Sequence, residues 1–132
     1  MINLSVSDLQ ARAYQQSADK GFHDDEPTEG RALQSLNSER IALMHSELSE
    51  ALEEIRKGHS PNHTYYPTAP SDSHSERPAP GEFKPEGVPS EMADVVIRVM
   101  DFCGANGIDL EAMILEKLDY NATRGYRHGK KF

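Results

Sequence analysis

Seven of the eight prolines fall between positions 58 and 90 (Pro61, Pro67, Pro70, Pro78, Pro80, Pro85 and Pro89), amid Ser, His and Gly. Each proline removes a backbone donor and locks φ, so no helix interior or central strand can run through this stretch. The segment has few side chains to bury and reads as a loop or partly disordered insertion. Regular structure must lie on its two flanks, and both flanks carry a helical period.

On the N-terminal side, Ile41, Met44, Leu48, Ala51 with Leu52, and Ile55 recur every three to four residues from about Leu33 to Lys57. They span an arc of about 100°, the width of a core-facing stripe. Gly58 is the expected stop. Ahead of this helix, Ser5-Val-Ser-Asp8 forms a capping-box pattern that opens a first helix to about Asp19. A polar stretch from Gly21 to Gly30 separates the two. On the C-terminal side, Ser90 is the expected N-cap of a third helix to Ala105, apolar over more than half its circumference. Such a helix is expected to be buried against more than one neighbour. Asn106-Gly107 ends it, and Asp109 caps a fourth, Leu110 to about Asn121, with Met113, Ile114 and Leu118 inward. Met44, Met92, Met100 and Met113 read as core. Four helices without a convincing strand predict an all-α, four-helix-bundle-like fold in one domain over 1–132. The 58–90 insertion joins its second and third helices, and a basic tail spans 122–132.

The net charge of −8 is unevenly spread: from Lys117 onward the chain is +4, and the remainder is −12. An acidic body argues against a nucleic-acid polymer as partner. It is compatible with binding a metal in one place and phosphates in another. The single cysteine, Cys103, excludes an intramolecular disulfide and a cysteine zinc site. It lies in a run that looks like core. No apolar run approaches the about 20 residues of a membrane span, and no signal peptide is visible. The expected location is the cytoplasm. A modest apolar fraction of 36% implies a small core, completed by a partner subunit.

Glu47 and Glu50 stand three apart on the second helix, so both point the same way. Glu91 and Asp94 repeat the spacing on the third. If the two pairs face each other, four carboxylates meet and each comes to prefer a proton, unless a hard divalent cation relieves the repulsion. The bland alternative is an ordinary solvated face, because E-x-x-E is common on helices. Spacing alone does not separate the two.

The run from Glu47 to Lys57, followed by that from Glu91 to Ile97, resembles the E-x-x-E … E-x-x-D signature of MazG-like nucleotide pyrophosphohydrolases. Lys117-Leu-Asp-Tyr-Asn121 and the tail from Arg124 to Lys131 resemble the stretch after that family's last core helix. The resemblance implies an all-α homodimer or homotetramer that hydrolyses nucleoside triphosphates, often non-standard or surplus ones, to monophosphate and pyrophosphate. It implies Mg²⁺, or Mn²⁺, held by Glu47, Glu50, Glu91 and Asp94. Of these, Glu50 is the expected base, with Glu47 beside it in the catalytic set and Glu54 as the next choice of base. Lys117, Asn121, Arg124, Tyr126, Arg127 and His23 would bind substrate. The 40 residues between Glu50 and Glu91 exceed the family's usual gap, which leaves the insertion as a lid or as decoration. His59, His63 and His74 within it read as solvated loop histidines rather than zinc ligands. The competing class is a non-catalytic helical module that binds metal or nucleotide and acts through oligomeric contacts.

Overall fold

The computed structural model describes residues 3–70 and 79–132, so His74 and Pro78 lie outside the described residues. Among the described residues the fold is all-α, with four helices: α1 (Val6–Asp19), α2 (Gly30–Arg56), α3 (Val88–Ala105) and α4 (Leu110–Ala122). A 3-10 turn follows at Tyr126–Gly129. No strand occurs among the described residues; one isolated antiparallel bridge pairs Tyr65 with Glu86. Among those residues no helix is long and apolar enough to cross a membrane.

The chain forms two compact units. One comprises residues 1–25 with 100–132, the other residues 26–99. In the first unit α1 packs on α4. The start of α1 is held as its sequence predicts: Ser5 Oγ accepts from Asp8 N, and Ser5 N donates to Asp8. Glu111 of α4 adds a second carboxylate there, accepting from Val6 N at 3.0 Å and from Ser7 Oγ at 3.2 Å. The free N–H groups and positive end of a helix dipole favour such an anion. Gly104 lies against Tyr14 so closely that a Cβ would sit 2.8 Å from that residue's own Cβ. Beside them a cleft of about 320 Å³ is lined by Ser7, Gln10, Tyr14 and Asp109. Asp109 caps α4 by accepting from Ala112 N.

The second unit contains α2, the described parts of the insertion and the N-terminal two-thirds of α3. Here the packing corrects the sequence reading. The buried residues of α2 are Glu47, Ala51 and Glu54, a stripe at i, i+4 and i+7. Ile41, Leu48, Leu52 and Ile55, the expected core face, remain 45–56% exposed. Met92 on α3 and Met113, Ile114 and Leu118 on α4 are also exposed, at 38–59%. Val96 and Ile97 are likewise exposed, whereas Met100 and Cys103 are buried as expected. The buried hydrophobic side chains are only Ala51, Val88, Met100 and Cys103 among the described residues.

The insertion is closed at its base. Tyr65 and Glu86 exchange both backbone hydrogen bonds, at 3.1 and 2.8 Å. Gly87, at φ +111°, passes so near the His63 carbonyl that a Cβ would lie 2.3 Å from its oxygen. Only glycine permits this approach. α3 then begins at Val88 rather than after Ser90. Pro89 sits in the first turn, where its missing N–H costs nothing. Ser90 Oγ donates back to Pro85 O at 3.0 Å instead of capping the helix.

Candidate metal centre

The inward stripe of α2 and the first turn of α3 bring three carboxylates together. Glu47, Glu50 and Glu91 each offer an oxygen within 4.8 Å of the others'. Glu47 and Glu91 are buried, at 8% and 7% exposure, and Glu50 is exposed. Asp94, one turn further along α3, does not join the group of three. It is half-buried, and burial together with the charge of Glu47 raises its pKa.

Glu91 bears the strain of the arrangement. Its Oε2 is buried and has no hydrogen-bond partner. Burial, reinforced by Glu50 and Glu47 at its side, pushes its pKa up to about 7. A lone buried acceptor of this kind costs about 1–3 kcal/mol, more when charged. An ion or a proton aimed at it removes that cost. The donor set is all-oxygen and anionic, which suits a hard divalent cation such as Mg²⁺ or Mn²⁺.

Two cations from the chain already face the cluster. Burial opposes the charge on Glu47, but Arg98, whose Nε donates to Glu47 Oε1 at 2.7 Å, brings its carboxyl below the usual range. Lys84 pairs with Glu86 at 3.1 Å, which raises its pKa, and it also senses Glu91 and Asp94. Sequence reading missed both: Arg98 lies 51 residues from its partner, and Lys84 sits in the Pro-rich segment. Arg98 holds charge where a cation would bind. With Arg98→Met, Mn²⁺ is expected to bind roughly fivefold or more tightly, since a like charge near the ion is removed. Paramagnetic resonance of free Mn²⁺ reads this directly, and weaker binding would assign Arg98 a role in building the site.

Glu54, the second choice as base, is buried and committed elsewhere. Tyr65 Oη donates to its two oxygens at 3.0 and 3.1 Å, and His59 Nε2 lies 3.6 Å away. The hydrogen bond to Glu54 raises the pKa of Tyr65. His59 and His63 are also not simply solvated, because both rings stack against Tyr65.

The expected substrate-binding side chains belong to the other unit. Lys117 and Asn121 share one face of α4. Lys117 and Arg124 both lie over the Tyr120 ring, at 5.4 and 5.9 Å. Arg127, in the left-handed region at φ 53°, covers the exposed Tyr126 ring and donates to the Lys131 carbonyl at 2.8 Å. His23 is turned inward, with a side chain 6% exposed. Its Nε2 is 2.7 Å from Asp101, and its ring lies against Tyr14.

Comparison with known families corrects one expectation. The family model that matches is the Barwin family, over residues 83–131, less than half of the chain. No MazG-like model matches. The matched segment contains Glu91, Asp94, Lys117 and Asn121, on which the MazG-like resemblance partly rested, so that assignment is withdrawn. The E-x-x-E and E-x-x-D spacings mark a polar helical arc, which arises on helices of any lineage. No curated protein and no solved structure matches this chain. What stands is a partial similarity to the Barwin family, carried by the C-terminal part of the chain.

Proposed function

We propose that this protein is a divalent-metal-dependent phosphohydrolase that cleaves nucleoside triphosphates to monophosphate and pyrophosphate. Glu47, Glu50 and Glu91 would hold Mg²⁺ or Mn²⁺, with Asp94 alongside. The observation that carries the reading is the buried, unpartnered Oε2 of Glu91 at a convergence of three carboxylates. A divalent ion bound there would neutralise phosphate oxygens and acidify a water.

The chain's own residues divide the remaining work. Glu50, the exposed member of the three, is open to take a proton from an attacking water. Arg98 holds Glu47 ionised and in place, occupying part of the position that an ion would take over. Lys84 is a cation able to offset charge on a departing phosphate. The nucleotide half of the reading is supported by the basic segment from Lys117 onward, net +4. Self-association as a dimer or tetramer belongs to the same reading, supported by the exposed Ile41, Leu48, Leu52 and Ile55 of α2.

Incubation with a panel of nucleoside triphosphates and Mg²⁺ is expected to release pyrophosphate. Orthophosphate would instead place the cleavage at the terminal phosphate. Glu50→Gln is expected to reduce turnover by at least about 10²-fold, because it removes both the proton acceptor and one of the three metal-facing carboxylates. Absence of turnover with every nucleotide, in a protein that binds Mg²⁺, would remove the enzymatic reading.

A further inference from the structure

Three rings of the insertion are held nearly parallel. The His59, His63 and Tyr65 centroids are 5.0–5.7 Å apart, with interplanar angles of 13–19°. The three distances are similar, so the rings tile as an offset cluster rather than a column. Offset arrangements of this kind are what aromatic quadrupoles favour.

The cluster is built rather than incidental. Tyr65 is fixed at its hydroxyl by both oxygens of Glu54 and at its backbone by Glu86. His59 N donates to Glu54 O, and His63 N donates to Ser60 O. The close passage of Gly87 past the His63 carbonyl holds the outer strand of the loop in place. Yet the rings are not sealed in: His63 is exposed, and His59 and Tyr65 are half-buried. Ordering three aromatic side chains at a partly open surface costs entropy that core packing does not repay.

Position gives the cluster its meaning. Glu54, which anchors it, shares the buried stripe of α2 with Glu47 and stands four residues beyond Glu50, a rise of about 6 Å along the helix axis. Tyr65 is near enough to sense the charge of Glu91.

We infer that His59, His63 and Tyr65 form a stacking platform for the base of a nucleotide whose phosphates lie at the carboxylate cluster. Base preference is set by these three rings, with His63 as the accessible one. This rests on the metal-dependent nucleotide reading above, and the two can fail separately.

The test compares a nucleoside triphosphate with inorganic tripolyphosphate, which offers the phosphates without a base, on the Mg²⁺-loaded full chain. Stacking on an aromatic surface is expected to favour the nucleotide by about 5- to 150-fold. His63→Ala is expected to reduce that preference to near unity, and His63→Phe, which keeps a ring, to restore it. An unchanged preference in His63→Ala, or one that His63→Phe fails to restore, overturns the platform. If neither triphosphate binds, the nucleotide reading falls, and a free nucleoside then decides the platform. Shifts of the His59 and His63 ring resonances on adding it would uphold stacking, and their absence would overturn it.

Discussion

Glu91→Gln is expected to weaken Mg²⁺ and Mn²⁺ binding by at least about 100-fold and to abolish metal-dependent turnover. The substitution keeps the shape of the side chain but removes the charge at the one carboxylate oxygen that, among the described residues, is both buried and unpartnered. Changes to residues that only hydrogen-bond a metal's ligands already cost about 10–100-fold, so loss of a direct anionic ligand should cost more. The same variant separates this role from a structural one. Without metal, Glu47, Glu50 and Glu91 repel one another, and the wild-type fold carries that repulsion together with the burial of Glu91. Glu91→Gln is therefore expected to melt no lower than wild type in chelator, and higher if the amide finds a partner. The wild type alone should gain stability when Mg²⁺ is added. Calorimetry in chelator and in saturating Mg²⁺ checks both arms. A large loss of stability in chelator, with metal binding intact, would make Glu91 a packing residue and end the metal reading.

What the sequence disclosed and what it concealed divide along the range of the interactions. Helix ends written in local chemistry were legible: the Ser5–Asp8 box, the Asp109 cap and the stop at Gly58 all lie within a few residues of the backbone they serve. The start of α3 was misplaced because Ser90 resembles an N-cap, whereas its hydroxyl reaches back to Pro85. The pairing of Glu47, Glu50 and Glu91 could be anticipated from i, i+3 spacing. That Glu47 and Glu54, and not the Ile41–Leu48–Leu52–Ile55 stripe, would be the shielded face of α2 could not. Periodicity identifies an apolar arc but not what covers it. Arg98 on Glu47, Tyr65 on Glu54 and the Tyr65–Glu86 bridge join residues 11 to 51 positions apart or across the insertion, and no local signal marks them. The family assignment failed for the complementary reason: its motifs were short polar spacings that amphipathic helices share.

The opposed pH dependence of folding and of metal binding follows from Glu91. Its carboxyl titrates near 7 in the fold against a reference value of 4.5. Below about pH 4.5 it is protonated in both states and imposes no penalty. As pH rises towards 7 the unfolded chain releases this proton first, so the metal-free fold loses stability. The loss approaches about 3 kcal/mol once the folded carboxyl has also ionised. Asp94, raised by burial and by Glu47, contributes with the same sign from a lower starting point. Glu47, lowered by Arg98 despite its burial, contributes oppositely, with stability present above its unfolded value and lost as pH falls. Mg²⁺ bound as proposed would require the ionised form, so near neutrality it would displace a proton from Glu91, and affinity should climb up to about tenfold per pH unit below 7 and level off above it. Denaturant titrations between about pH 5 and pH 8, with and without saturating Mg²⁺, are expected to diverge as pH rises, with the metal-free curve falling. Other carboxylates in a chain of net charge −8 add their own slope. The decisive quantity is therefore the difference between wild type and Glu91→Gln, which cancels them. If that difference is flat across this range, or if Mg²⁺ affinity shows no change through pH 7, Glu91 holds no proton that a metal must displace.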